Sequence, residues 1–425
     1  MRKKTLHLIL LLLSFIYLFP TNAVAALEKN ITIDGNERLY RVYYPKDYSV
    51  TNEKPYDILL VLHPNGFTID DFASVTNPQG ISDFNNVLVV YPQAMDEQNK
   101  EINIIATMIT EAGFEVAGFS TTSVWNAGAS ISANVIKEMV GSDYEFMLNL
   151  AIPNIMSKGK MVFNETINDV KFIDEMVNKL ITEENANKDG LYVVGASMGG
   201  AMTYKYAFQS QYPVKSIAVI NGFVGKEISI PESISFPICV FHSLGDSVVN
   251  FNGGPINDAI DVTVEKITQS VGFSGEAKKL EIEDIAEDGN KIELTIHDDK
   301  THPKVHLFLS DNATHYDIFT SNYKNGPNDI DHIIECGKFF WGEKFGLGVD
   351  DIRNIITLSL YPNPAEDYIY SPISGNFEIY NLQGALIMQG ECNDKNINIS
   401  NLLSGNYIVK IVNTEGIYLG RLVKK

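Results

Sequence analysis

The sequence predicts an α/β fold, a mostly parallel sheet with helices on both faces, followed by a small carboxy-terminal β-sandwich. Three observations predict it. Between about residue 30 and residue 345, short β-rich runs alternate with helical patterns. One such run leads through Gly195-Ala196-Ser197-Met198-Gly199 into a helix start. From residue 359 onward, glycines separate short alternating runs. A chain of 425 residues, 45% hydrophobic and 20% charged, has material for one large packed domain and a smaller one. Its 33 Lys and Arg against 53 Asp and Glu give a formal charge of −20, which opposes nucleic acid and anionic lipid as partners. Three scattered cysteines form no disulfide framework or metal-ligand pattern, so neither a metal nor a cofactor is expected.

The elements justify themselves in order. Arg2, Lys3 and Lys4 precede an apolar run from Leu6 to Phe19, and Ala23-Val24-Ala25 offers small residues to a signal peptidase. Residues 1–25 therefore read as a secretory signal. The run is short for a bilayer span of about 20 residues, and no integral membrane segment is expected after cleavage. Strands are expected at Leu39–Tyr44, Ile58–His63, Val87–Tyr91, Leu191–Val194, Ser216–Ile220, Ile238–His242 and Val305–Leu309. Several are apolar throughout, as strands covered on both faces are. Crossover helices are expected at Ile167–Ile181 and after Gly199, and residues 129–165 read as an insertion, a candidate helical lid. The domain boundaries expected are 26–345 for the large domain, 346–358 for a linker and 359–425 for the sandwich.

The sharpest chemical signal is the Gly-x-Ser-x-Gly turn between a strand and a helix, the context of a nucleophile elbow. A turn so sharp tolerates little bulk two residues to either side, hence Gly195 and Gly199. Ser197 is the candidate nucleophile, and the Met198 N–H at the new helix start points to a developing oxyanion. A base and an orienting acid should follow in the order acid, then histidine. Asp246 follows the strand ending at His242, and His315 follows the strand ending at Leu309, each in a loop at a strand's carboxy-terminal end. A plain turn aspartate and a surface-loop histidine are the alternatives. His297, His302, His306 and His332 lie before or within the last strand or on the terminal helix, so they are weaker candidate bases. The second oxyanion donor should come from Leu62-His63-Pro64-Asn65-Gly66-Phe67. Pro64 has no N–H, which leaves Asn65, with Gly66 supplying backbone freedom. His63 reads as an orienting or core residue.

Together these residues resemble the secreted polyhydroxybutyrate depolymerase-like, feruloyl and acetylxylan esterases, which have an α/β-hydrolase fold. The resemblance runs over most of residues 30–345 and includes Arg41-Val42-Tyr43-Tyr44-Pro45, Val90-Tyr91-Pro92-Gln93 and Val124-Trp125-Asn126-Ala127-Gly128. It implies Ser197 as nucleophile, His315 as general base then acid, and Asp246 as its orienter. It also places Trp125 and Asn126 in the active-site surround, a buried tryptophan beside a turn asparagine being the alternative, and Tyr316 on the substrate wall. The implied reaction is hydrolysis of carboxylic esters, feruloyl or acetyl esters on plant polysaccharide, without a cofactor. A polyhydroxyalkanoate depolymerase, a serine peptidase on the same fold and a non-catalytic surface carbohydrate-binding protein are the other readings.

The tail resembles the carboxy-terminal sorting domain of the type IX secretion pathway of the Bacteroidetes. The matching features are Tyr361-Pro362-Asn363-Pro364-Ala365, Tyr380-Asn381-Leu382-Gln383-Gly384, Ser404-Gly405-Asn406-Tyr407 and the Lys424-Lys425 end. That resemblance implies the type IX machinery as partner and export through the periplasm and outer membrane of a Gram-negative cell to its surface or beyond. An accessory carbohydrate-binding sandwich is the alternative.

Overall fold

A computed structural model describes residues 26–111, 120–141, 145–284, 288–317, 329–342, 355–358, 360–381, 386–392, 395–413 and 416–425. The expected signal at 1–25 and residues 346–354 of the expected linker lie outside the described residues. The strands of the large domain are β1 (Ala26–Ile33), β2 (Asn36–Tyr43), β3 (Tyr56–Leu62), β4 (Leu88–Pro92), β5 (Ser130–Ser132), β6 (Lys160–Val162), β7 (Ala186–Ala196), β8 (Val214–Ile220), β9 (Ile238–Ser243), β10 (Lys278–Ile282), β11 (Ile292–His297) and β12 (Val305–Ser310). Ten of them form one sheet in the order β1-β2-β4-β3-β7-β8-β9-β12-β11-β10. The neighbours from β4 through β12 run parallel, with antiparallel strands at both edges. This is the α/β-hydrolase fold. All seven expected strands are present, while β1, β10 and β11 were missed. Strands β1 and β10 expose most of their residues and β11 leaves most of its own half-buried, so none carries the continuous apolar run that marks a covered strand.

Period-two alternation divides the central strands between two cores. Ile58, Leu60, Leu62 and Val193 pack with Phe172 and Met176 of α7 (Asp169–Glu183) and Met202 of α8 (Met198–Gln209). Leu59, Val61, Val194 and Ala218 face the other way, towards Phe72 of α1 (Ile69–Thr76), Ile81 of α2 (Pro78–Asn85) and Cys336 and Phe339 of α10 (His332–Trp341). Cys239, Cys336 and Cys392 are all buried thiols. A charged pair sits inside the first core: Arg38 donates to Asp169 at 2.6 Å and lies 4.0 Å over the Phe172 ring. The other Asp169 oxygen accepts the Asn126 N–H at 2.7 Å, which ties β2, α7 and the 125–128 segment together.

The strand registers align the carboxy-terminal ends. Leu62 stands opposite Gly195, Ala196 opposite Ile220, and Ser243 opposite Ser310. The loops after β3, β7, β8, β9 and β12 therefore leave from one rim. Residues 129–165 contain α4 (Ala133–Val140), α5 (Glu145–Ala151) and α6 (Pro153–Lys158), closed at the base by antiparallel pairing of β5 with β6. Two further helices, α3 (Lys100–Glu111) and α9 (Ile260–Ser270), complete the helical layers. Among the described residues, no helix is long and apolar enough to cross a membrane.

The tail has strands β13 (Ile355–Thr357), β14 (Tyr368–Tyr370), β15 (Gly375–Asn381), β16 (Leu386–Cys392), β17 (Asn396–Asn398), β18 (Gly405–Asn413) and β19 (Gly416–Lys424). They form a sheet ordered β13-β19-β18-β15-β16 and a separate β14-β17 pair. Ile369 and Ile397 of the pair share a core with Phe377, Ile379, Val409 and Ile411 of the larger sheet. Cys392 is buried in that core.

The large domain stores acid sensitivity. Burial pulls the His332 imidazole, packed edge-on against Phe241, down to about 3, and that of His63 down to about 4, against 6.5 when unperturbed. As pH falls below 6.5 the unfolded chain binds protons that the folded chain refuses, so stability is lost on the way down towards pH 4. His332→Phe is expected to flatten the acid limb of the urea midpoint plotted against pH. Identical slopes for variant and wild type would refute this account.

Candidate active site

Ser197 occupies the turn between β7 and α8 with φ 53° and ψ −121°, a left-handed conformation that a serine adopts only when its surroundings enforce it. Its N–H donates to the Ile220 carbonyl at 2.9 Å, which anchors the turn to the neighbouring strand. The flanking glycines are required by contact. A Cβ on Gly195 would lie 2.2 Å from the Gly199 carbonyl oxygen, and one on Gly199 would lie 2.2 Å from that of Leu62. The second approach presses the end of β3 against the first turn of α8.

The expected acid and base converge on this serine. The Ser197 hydroxyl donates to His315 Nε2 at 2.8 Å, and His315 Nδ1–H donates to Asp246 Oδ2 at 2.7 Å. All three residues are buried, Ser197 at 8% exposure being the most accessible. Asp246 is held from behind, its Oδ1 accepting the N–H groups of Val248 and Val249 at 2.8 Å each. One carboxylate oxygen is thus anchored to its own loop while the other faces the imidazole. None of the weaker candidates reaches the site: His306 packs on Phe339, His332 on Phe241, His297 on Phe273, and His302 pairs with Asp299.

Three supporting residues escaped the sequence reading. Ser243 at the end of β9 donates to the Ala313 carbonyl at 2.6 Å and accepts the Gly245 N–H at 3.1 Å, linking the Asp246 loop to the His315 loop. Asn221 donates to the His315 carbonyl at 3.0 Å from the end of β8, with φ 44°. His242 donates through Nε2 to the Val249 carbonyl at 2.9 Å, and burial depresses its pKa so that it stays neutral. A polar residue closing an apolar strand was the available signal in each case. Nothing local names the partner, which lies 70 residues away for Ser243, 94 for Asn221 and seven for His242.

The oxyanion loop follows β3. Phe67 N–H donates to the Pro64 carbonyl at 3.3 Å and Gly66 has φ 80°, a turn with glycine where the backbone is left-handed. Asn65 stands between them, two residues beyond the His63 carbonyl that crowds Gly199. Met198 is the first residue of α8, whose first N–H groups have no partner within the helix. His63 is no second base. Its Nδ1–H donates to the Pro64 carbonyl at 2.8 Å, and Nε2 accepts from Ala94 N–H at 3.0 Å and Gln93 Nε2 at 3.1 Å. With both nitrogens engaged and a pKa near 4, the ring is a neutral brace. Gln93 also accepts the Ile69 N–H and donates to Ser123, so it joins β4, α1 and this loop.

The three expected surround residues fare differently. Trp125 is fully buried, lies 5.0 Å from the His63 ring and donates Nε1–H to the His63 carbonyl at 3.0 Å. It supports the loop from below and offers no surface to a substrate. Asn126 spends its amide on the Ile167 carbonyl and on Lys205 Nζ, so it fastens α8 and the approach to α7. Tyr316 alone is open, 41% exposed and set edge-on to His315 at 5.3 Å.

Comparison with known proteins adds the following. The chain is similar to an acetyl xylan esterase from Aspergillus awamori, at 12% identity and TM-score 0.42 over 68% of this chain and 94% of that one. It is also similar to Thermogutta terrifontis esterase 2 phosphorylated by paraoxon, at 10% identity and TM-score 0.41 over 76% and 95%. Acyl-protein thioesterase 1 homolog 2 of Dictyostelium discoideum is 30% identical over 91 residues, 20% of this chain, and the match spans only 40% of that relative's length. Residues 359–425 match the family model of the secretion system C-terminal sorting domain. The chain thus ends in a secretion-system sorting domain carried behind an α/β-hydrolase fold.

Proposed function

We propose that this protein is a secreted serine esterase. The observation that carries the reading is the unbroken hydrogen-bond chain from Asp246 through His315 to the Ser197 hydroxyl, seated at the rim where five strand ends meet. His315 takes the Ser197 proton as Oγ attacks the ester carbonyl, and the Met198 and Asn65 N–H groups receive the oxyanion. The intermediate collapses, His315 protonates the leaving alcohol, and an acyl-serine remains. Water activated by the same imidazole then frees the acid. Asp246, locked by two backbone N–H groups, keeps the ring in the tautomer this requires. No step calls for a cofactor.

Carbohydrate-linked feruloyl or acetyl esters are the proposed substrates, on the resemblance of the large domain to secreted polysaccharide esterases, with Tyr316 forming part of the substrate wall. The proposed organisation is a signal at 1–25, an esterase domain at 26–345 with 129–165 as a lid insertion, a linker at 346–358 and the sorting domain at 359–425. That tail supports export by the type IX pathway to the cell surface or outside. The test is a panel of p-nitrophenyl acetate, methyl ferulate, acetylated xylan, a polyhydroxybutyrate film and a peptide amide. Turnover of the first three is expected. Preference for the film or the amide would replace the substrate class, and turnover of none would reject the enzyme reading in favour of a binding protein.

A further inference from the structure

We propose that the cleft between the insertion and the loops after β8 and β9 is a subsite for the sugar on the alcohol side of the ester. The assignment rests on the esterase reading above and names where its substrate's carbohydrate would sit. The cavity measures about 420 Å³, within the ~300–1,000 Å³ of small-molecule clefts. Ser130, Ser132 and Lys160 line it from the insertion, Lys226 and Glu227 from the loop after β8, and Gly254 and Pro255 from the loop after β9.

Two of those walls grow out of the triad's own supports. Asn221, which holds the His315 carbonyl, precedes Lys226 by five residues, a reach of at most about 18 Å. Asp246 begins the loop that reaches Gly254. Lys226 Nζ fastens the two walls together by donating to the carbonyls of Gly254 at 3.0 Å and Pro255 at 2.9 Å. Glu227 fastens the third: it accepts from Ser130 Oγ at 2.8 Å, pairs with Lys160, and its N–H donates to the Gly128 carbonyl at 3.0 Å. The cleft is therefore built before any ligand enters, and two of its walls belong to loops that leave the rim carrying Ser197.

Its chemistry selects the occupant. Hydroxyls, two ammonium groups, a carboxylate and backbone carbonyls place donors beside acceptors, which suits vicinal sugar hydroxyls that must both give and receive hydrogen bonds. An acyl chain or aryl ring there would cover the charged groups without offering them a further hydrogen bond, an unfavourable exchange. The polar alcohol side of a carbohydrate ester thus fits this cleft better than the acyl side does.

The test uses the mature chain with Lys226→Met and, separately, Glu227→Gln. KM for acetylated xylotriose is expected to rise about tenfold more than KM for p-nitrophenyl acetate, with kcat nearly constant. Calorimetric titration of unesterified xylotriose into Ser197→Ala should show binding that each second substitution weakens by a similar factor. Equal changes in KM for both substrates, no change for either, or no xylotriose binding to Ser197→Ala would overturn the subsite. Wild-type protein inert to p-nitrophenyl acetate would instead sink the esterase reading, while the titration would still decide whether the cleft takes sugar.

Discussion

Ser197→Ala is expected to lower kcat/KM for p-nitrophenyl acetate by about 10⁴- to 10⁶-fold and to leave the fold intact. The size follows from what the substitution removes. Without Oγ no acyl-enzyme forms, and His315 keeps its bond to Asp246 but has no hydroxyl to deprotonate. The Met198 and Asn65 amides, the proposed oxyanion donors, remain, so a residual rate above that in water should persist. Alanine keeps the same backbone, and the anchors of the turn, the Ser197 N–H to Ile220 bond and the glycine contacts at 195 and 199, involve no atom of the lost hydroxyl. Unchanged circular dichroism and melting temperature alongside the lost activity would identify a chemical role. A variant retaining more than a few per cent of wild-type activity would remove Ser197 from the mechanism.

Asp169→Ala should have the largest effect on stability. Arg38 and Asp169 are almost wholly buried, so removing the carboxylate leaves a guanidinium in the core without its counter-charge and strips the Asn126 N–H of its acceptor. Breaking such a pair costs about 3–5 kcal/mol, which for a domain of this size corresponds to a fall in Tm of about 5–8 °C. Replacing both charges with Arg38→Met and Asp169→Leu should recover much of the loss, because the price of burying an unpaired charge then vanishes. Differential scanning calorimetry of the single and double variants checks both parts. A single variant that melts within a degree of wild type would show that water or a rearranged side chain compensates the arginine.

Much of the molecule was legible because its signals are local. An apolar run of five to seven residues marks a covered strand wherever it occurs, and Gly195 and Gly199 mark a turn whose geometry excludes a Cβ. The order serine, aspartate, histidine along the chain then picked Asp246 and His315 out of many acids and eight histidines. The edge strands β1 and β10, and β11 beside the latter, were illegible for the converse reason: with one edge or face open to water, their composition does not differ from that of a loop. The supporting residues Ser243 and Asn221 were illegible because each acts through a partner remote in the chain.

The sequence by itself determined the alternation of strands and helices, the sharp turn at Ser197 and the position of the sorting tail, since backbone propensity and side-chain period act between near neighbours. Tertiary structure alone decided the rest. It made His63, read from the sequence as an orienting or core residue, a neutral brace by engaging both ring nitrogens, and it withdrew Trp125 beneath the loop while leaving Tyr316 open. It also brought Ser130, Lys160, Lys226 and Glu227 from separate segments into one cleft. Burial and hydrogen-bond partnership are set by residues that meet only after the chain has closed on itself, and no short window of sequence contains both halves of such a contact.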